Sequence, residues 1–256
     1  MGSLRASLHK GFTFAEAAEP RHHKGSWSKG FTLAEVLITL GIIGVVAALT
    51  IPTLIQKYTN KVVETRLVQF YSSINQAVKL SEIDNGDKKL WYKDVSGGVP
   101  DKDGNLPSTS DAQEWFETYL APYMKISKIG MYKEGSLLVY FNNGSILRAA
   151  AHTTRDWYFF PGDMEKCLKK SEKAGACLFY FSFNPASSSP TWKYAVDKGF
   201  ETMIYLWDGT KEQVENICLK KLPPPDSSVS NAAWCSRWIQ LNNWKIPENY
   251  PYKVSY

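Results

Sequence analysis

The chain has 256 residues, and its 30 lysines and arginines outnumber its 25 aspartates and glutamates, which gives a formal net charge of +5. Five of the basic and two of the acidic residues lie in residues 1–30, so residues 31–256 carry only +2. This balance, without a basic stripe in the sequence, argues against a nucleic-acid-binding protein. The length of the chain after the first apolar run fits one globular domain.

Residues 1–30 are polar and contain two nearly identical copies of one motif. Residues 10–17 read KGFTFAEA, and residues 29–36 read KGFTLAEV. Only the second copy continues into an apolar run, because the first is followed by Ala18-Glu19-Pro20. We therefore expect that the first copy cannot insert into a membrane and is not processed.

Residues 31–55 form the apolar run, and no charged residue occurs in residues 36–56. A helix rises about 1.5 Å per residue, so this run is roughly 30 Å long, enough to cross the hydrocarbon core of a bilayer. Arg21, Lys24 and Lys29 precede it, which favours an N-terminus on the cytoplasmic side. We predict one membrane-spanning helix, with the remainder of the chain outside the cytoplasm.

The order Lys-Gly-Phe-Thr-Leu-x-Glu, followed by an apolar helix, resembles the processing site of a type IV pilin or pseudopilin precursor. The resemblance implies that Lys29 precedes the cleavage site, that prepilin peptidase cuts after Gly30, and that Phe31 becomes the N-methylated first residue. Gly44 and Pro52 stand where many pilins also carry glycine and proline. The close resemblance is confined to the cleavage site and the first helix.

Glu35 lies at the N-terminal edge of the apolar run. An acid at mid-membrane costs about 2–3 kcal/mol on insertion scales, and less near an end. In one interpretation the carboxylate rests at the headgroup level, where it also suits a helix N-terminus. The resemblance implies assembly instead, in which Glu35 of one subunit pairs with the Phe31 ammonium of a neighbour in a filament. We favour assembly, because acids within a membrane usually mark function.

Pro52 interrupts the hydrogen-bonding pattern of this helix. A proline removes one helical hydrogen bond and clashes with the preceding turn, so we predict a kink. Thr50 and Thr53 could satisfy the freed carbonyls. Alternatively, Pro52 only marks the interfacial end of the span.

Residues 56–85 continue the same helix in amphipathic form. A stripe at helical spacing consists of Val63, Leu67, Phe70, Ile74, Ala77 and Val78. We predict one long helix ending before Gly86, with its second half packed on a sheet. A coiled coil is the alternative, but the spacing follows 3.6 residues and not sustained heptads.

Residues 86–256 are predicted to form the extracytoplasmic head. Residues 101–105 read DKDGN and resemble a calcium loop, but the sixth position is not glycine and Ala112 stands where a bidentate glutamate is needed. We interpret the segment as a turn, followed by a short helix over residues 112–120.

The head then changes to the period-two pattern of strands. Residues 136–141 and 145–149 flank Asn142-Asn143-Gly144, which predicts a hairpin. A helical turn is predicted over residues 232–238, and an extended end packed on the head over residues 244–256. Further strands are predicted over residues 156–160, 177–183 and 202–207.

The four cysteines all lie in the predicted head, and an even count outside the cytoplasm indicates disulfides. Three pairings are possible. We favour Cys167–Cys177 and Cys218–Cys235, because near neighbours close the smaller loops. A zinc site is the alternative, but the spacings are not CxxC and His152 is the only histidine after residue 30.

The sequence contains no GxSxG, HExxH, P-loop or GxGxxG motif, so we predict no catalytic residue, no metal, no cofactor and no enzymatic activity. Eight tryptophans follow residue 30, among them Trp234, Trp238 and Trp244. Exposed, they could bind sugars, surfaces or DNA. We favour the alternative that they fill the core of a sheet packed on one helix.

These observations predict an α+β, pilin-like fold with a long N-terminal helix on an antiparallel sheet and disulfide-closed loops near the C-terminus. The expected divisions are a leader (residues 1–30), a transmembrane and filament-core half-helix (31–55), an amphipathic half-helix (56–85) and the head (86–256). The resemblance implies a filament subunit in the bacterial inner membrane. Its partners would be prepilin peptidase, other pilins, and an assembly platform with its ATPase. The alternative is a single-pass, membrane-anchored binding or adhesion protein that does not assemble.

Overall fold

The computed structural model describes residues 30–91, 111–149, 154–225 and 230–256. They belong to two compact units, one ending at Ala48 and the other running from Leu49 to Tyr256. One helix, α1 (Leu33–Asn85), contributes residues to both units. The prediction of a single long N-terminal helix is therefore confirmed.

The second half of α1 is amphipathic because its apolar residues recur every three or four positions. The helix ends where Gly86 adopts a φ of 77° and donates its amide to the carbonyl of Glu82 at 3.2 Å. Glycine reaches this left-handed conformation without steric cost, as predicted for the helix cap. All six residues of the predicted apolar stripe are buried, and so is Ser81; the buried set is Val63, Leu67, Phe70, Ile74, Ala77, Val78 and Ser81.

Six strands of the described chain form one antiparallel sheet in which each strand pairs with its neighbours in sequence. The hairpin between the second and third strands is the predicted one. Its turn closes with hydrogen bonds from Gly144 N to Phe141 O and from Phe141 N to Ser145 O, both 3.0 Å. The strands are β1 (Ile126–Met131), β2 (Leu137–Phe141), β3 (Ile146–Ala149), β4 (Asp156–Phe160), β5 (Phe179–Phe183) and β6 (Phe200–Thr202).

The described residues also form five shorter α-helices. The helices are α2 (Lys88–Trp91), α3 (Asp111–Tyr119), α4 (Met164–Leu168), α5 (Lys211–Cys218) and α6 (Asn231–Leu241). The predicted short helix is present, and the turn predicted over residues 232–238 is part of an eleven-residue helix that the Ser230 side chain caps. Three further helices, α2, α4 and α5, were not predicted, although the N-caps of α4 and α5, Asp163 and Thr210, are typical capping residues.

The prediction of a strand over residues 202–207 was wrong beyond Thr202. The amide of Ile204 donates to the hydroxyl of Tyr194 at 2.8 Å and not to a neighbouring strand. Leu206 has a φ of 52°, outside the range of extended backbone. The chain therefore leaves the sheet after β6, and Ile204 joins a separate apolar cluster with α5 and α6. Strand β1 was missed entirely: two of its residues are exposed and the other four half-buried, so its sequence lacks the period-two alternation of a strand with one buried face.

Apolar side chains cover both faces of the sheet. On one face the Phe70 ring of α1 lies 4.4 Å from the Phe159 ring and 4.8 Å from the Phe181 ring, measured between centroids. On the other face Leu138 and Phe160 pack with Met164 of α4. The α+β, pilin-like prediction is confirmed by this arrangement.

The disulfides join Cys167 to Cys177 and Cys218 to Cys235, the pairing that we favoured. The second links α5 to α6 inside the apolar cluster that also contains Trp234 and Trp238. Of the eight tryptophans after residue 30, six are buried, and Trp207 and Trp244 are half-buried. The tryptophans therefore fill the core, as predicted.

Candidate functional site

The predicted cleavage position lies at the exposed start of α1. A side chain added at Gly30 would have no atom within 4 Å, and Phe31 is 87% exposed. Residues 30–32 are not helical. Lys29 and the first motif copy, residues 10–17, lie outside the described residues. Gly30 and Phe31 are thus accessible to an enzyme that cuts the bond between them.

Thr32 and Glu35 form a reciprocal cap at the start of α1. The amide and hydroxyl of Thr32 donate to the Glu35 carboxylate at 2.8 and 2.7 Å, and the Glu35 amide donates to Thr32 Oγ1 at 3.2 Å. This capping box satisfies amides that a helix otherwise leaves unpaired. We did not predict it, although the spacing Thr-x-x-Glu indicates it. In a single chain, the carboxylate assigned to assembly therefore binds its own helix start.

The first half of α1 exposes its apolar side chains. Their exposed fractions include 40% at Val36, 62% at Ile43 and 72% at Leu49. An 18-residue window of this helix has a mean hydropathy of 2.3, and none of that window is buried. By length and composition it is the one described helix able to cross a membrane. A contiguous apolar surface of this size marks contact with a membrane or with other proteins.

Pro52 lies inside α1 and does not end it. Its missing amide leaves the carbonyl four residues earlier, that of Ala48, without the usual helical donor. The hydroxyl of Thr53 donates to the carbonyl of Thr50 at 2.8 Å, so side-chain donors do serve this part of the helix. The helix continues through the position that the sequence marks for a kink.

The deepest charged cluster of the described head ties α1, β6 and α6 together. Arg237 Nη1 lies 2.7 Å from Glu201 Oε2, and both side chains are less than 10% exposed. Tyr71 of α1 donates its hydroxyl to Glu201 Oε1 at 3.0 Å. Burial, and then the charge of Glu201, raises the pKa of Tyr71 to about 12. Sequence reasoning missed this cluster, because its members are far apart in the chain and follow no motif.

The described residues contain no group of three or more histidines, cysteines, aspartates or glutamates arranged to hold a metal ion. His152 and the calcium-like segment over residues 101–105 lie outside the described residues. All four cysteines are in disulfides, so none is a free thiol.

Comparison with known families assigns the two parts of the chain separately. A model described as "Family of unknown function (DUF6613)" matches residues 53–254, most of the chain. The chain belongs to this family. In this DUF6613 protein, residues 28–51 match the prokaryotic N-terminal methylation motif, the leader signature of type IV pilins and pseudopilins. No curated protein and no solved structure matches the chain.

The motif and the geometry agree in this DUF6613 protein. The motif match begins two residues before the exposed Gly30 and ends within the exposed half of α1. The match supports a type IV pilin-like protein that prepilin peptidase processes, and the pilin-like fold indicates a structural subunit. The exposed apolar helix and the leader motif together fit a membrane-anchored pilin.

Proposed function

We propose that this protein is a structural filament subunit of a type IV pilus, a type II secretion system or a DNA-uptake system. The observation that carries the proposal is the Lys29-Gly30-Phe31 motif directly before a helix whose apolar half is exposed. A monomeric soluble protein rarely exposes a contiguous apolar surface as large as that of the first half of α1. A bilayer before assembly and neighbouring helices after assembly supply the missing apolar contacts.

The proposed topology follows the order of the segments. Residues 1–30 are a cytoplasmic leader, residues 31–55 cross the inner membrane, and residues 56–256 lie outside the cytoplasm. Prepilin peptidase removes the leader and methylates Phe31. An inner-membrane platform with its ATPase then moves the subunit into a filament, where the apolar half-helix packs against other subunits. The disulfides of the head are consistent with an oxidising compartment.

Glu35 acts in assembly in this proposal. Cleavage after Gly30 creates an ammonium at Phe31, one residue before the Thr32–Glu35 cap. In a filament, Glu35 exchanges part of its contact with Thr32 for the Phe31 ammonium of a neighbouring subunit. In an apolar surrounding the attraction of a carboxylate for an ammonium is stronger than in water, and an unpaired charge is costly, so pairing of the two favours assembly.

Mass spectrometry of the N-terminus of the native protein tests the maturation step. We expect a chain that begins at N-methylated Phe31. Replacing Gly30 by valine should leave the leader attached, whereas the matched change Gly11→Val in the first motif copy should leave processing intact. An intact leader in the unaltered protein, or a cut after residue 55, would instead support a membrane-anchored binding protein that is not assembled.

The assembly role of Glu35 is tested by comparing Glu35→Gln with Thr32→Ala. Both changes weaken the cap, but only the first removes the charge. We expect both proteins to insert into the membrane and only Glu35→Gln to be lost from sheared filament fractions. If the two variants lose assembly equally, Glu35 acts through helix capping and the pairing role is wrong.

A further inference from the structure

A cavity of about 230 Å³ lies between the second half of α1 and the segment that follows α6. Lys61 and Glu64 of α1 line one side, and Trp244 and Lys245 line the other. Asn243 and Trp244 both have left-handed backbone, with φ of 54° and 60°. This double turn reverses the chain after α6 and brings Lys245 back to α1.

The cavity contains more positive than negative charge. Lys245 Nζ lies 3.2 Å from Glu64 Oε2, and the amide of Ile246 donates to Glu64 Oε1 at 3.0 Å. Both oxygens of the single lining carboxylate are therefore engaged by the returning segment. Lys61 is left close to Lys245, and this contact lowers the pKa of Lys61. Two lysines and one carboxylate line the cavity, so one further anion would complete the charge balance.

The position along α1 indicates where this anion comes from. Lys61 follows Ile55, the last residue of the predicted span, by six residues, about 9 Å along the helix. The polar layer of a bilayer extends about 5–8 Å beyond each side of the hydrocarbon core, so the backbone of Lys61 lies just beyond this layer and its long side chain can extend back to it. Tyr58, one turn earlier, is 64% exposed, and tyrosines are enriched at this level.

The head itself begins at the same level. Gln56 Nε2 donates to the carbonyl of Val254 at 3.3 Å, so the end of the chain contacts α1 one residue after the predicted span. Leu49 to Ile55 belong to the same compact unit as the head. The Lys61 end of the cavity is thus the end nearest the membrane, and the lining continues away from it along α1 to Gln69.

We propose that this cavity binds the phosphate of an anionic phospholipid in the outer leaflet of the inner membrane. Lys61 and Lys245 donate to the phosphate oxygens, and the indole of Trp244 forms the wall beside the headgroup. A phosphodiester carries one negative charge, which neutralises the single excess positive charge of the cavity. The inference rests on the proposed membrane anchoring and adds a lipid-selective contact to it.

Native mass spectrometry of the full chain, released from detergent micelles, tests this site. Phosphatidylglycerol, phosphatidylcholine and inorganic phosphate are added separately at equal concentrations. We expect phosphatidylglycerol to be retained and the other two to be lost. The double variant Lys61→Gln/Lys245→Gln should retain phosphatidylglycerol roughly tenfold less well or worse. The matched variant Lys166→Gln/Lys169→Gln removes the same charge from exposed positions near α4 and should behave like the unaltered protein.

Each other outcome overturns the lipid site in a distinguishable way. Equal losses in the two double variants would show a general charge effect, and retention of inorganic phosphate would show a free-anion site. If Lys61→Gln/Lys245→Gln retains phosphatidylglycerol but no longer assembles into filaments, the cavity binds a carboxylate of a second copy and not a lipid. Flotation with vesicles separates the two proposals: a chain that does not float refutes membrane anchoring and the lipid site together. A chain that floats without selecting phosphatidylglycerol refutes only the lipid site.

Discussion

The two halves of α1 are both helical, but the apolar side chains of the second half are buried and those of the first half are exposed. In the second half, the side chains of Val63, Phe70 and Ile74 are at most 4% exposed, because the sheet covers them. In the first half, Ile43 and Leu49 are more than 60% exposed. The second half therefore contributes to the stability of the folded chain, and the first half contributes to stability only when a membrane or another subunit covers it. Helix formation and helix burial are therefore separate problems in this protein.

The largest expected effect comes from removing one aromatic ring in the second half of α1. Phe70→Ala removes the stacking on Phe159 and leaves a cavity between α1 and the sheet. We expect it to lower the free energy of unfolding by about 3–5 kcal/mol. The matched truncation Ile43→Ala in the first half should change it by less than about 0.5 kcal/mol. Urea unfolding of the detergent-solubilised chain, followed by tryptophan fluorescence, measures both. If the two changes lowered the free energy of unfolding equally, the first half would be as well packed as the second.

The disulfide of the α5–α6 cluster gives the next largest effect. Replacing Cys218 and Cys235 by serine reopens a loop of 17 residues and should cost about 3 kcal/mol on the chain-entropy model. Because neither cysteine lies on α1, processing at Gly30 should be unaffected while the head loses stability. The urea midpoint and the mass of the mature N-terminus are measured on the same sample. A variant that unfolds normally but escapes cleavage would contradict the division of roles.

The sequence was sufficient for those elements whose signal is local. The stripe from Val63 to Val78, the Asn142-Asn143-Gly144 hairpin and the cleavage motif are each specified by residues near one another in the chain. The end of β6 was mispredicted because Ile204 takes its partner, the hydroxyl of Tyr194, from another loop. The Glu201–Arg237 pair was missed for the same reason, since 36 positions separate its members. Long-range polar contacts leave no periodic trace from which they could be predicted.

Tyr71 makes the stability of the second half depend on pH, because its hydroxyl joins this half to the buried charged cluster. Its raised pKa of about 12 exceeds the ordinary value of 10, so between these pH values the unfolded chain loses the proton and the folded chain keeps it. The unfolded state then binds fewer protons, and stability falls as pH rises from about 10 to 12. Tyr71→Phe should cost about 1.5 kcal/mol at neutral pH and make this alkaline fall shallower.

The measurement for Tyr71 is a series of urea midpoints between pH 8 and 12, for both proteins. Tyr180, whose pKa burial also raises to about 12, remains in the variant, so part of the alkaline fall persists. A variant with the same slope as the unaltered protein would remove Tyr71 from the account of alkaline stability. The first half of α1 has no tyrosine in its apolar run and should not respond.

The smallest expected effect lies at the opposite end of α1, where the Thr32–Glu35 cap replaces burial as the source of local order. Thr32→Ala removes one capping hydroxyl and should cost about 1 kcal/mol, confined to the first helical turn. Hydrogen exchange in detergent should then be about fivefold faster at the amides of Glu35 and Val36, which donate to Thr32, and unchanged in the second half. Thr39→Ala is the control, because its hydroxyl donates to the Val36 carbonyl within the helix and caps nothing. If exchange accelerates along the whole helix, the two halves unfold as one unit, and the stability of the exposed apolar half depends on the packed half.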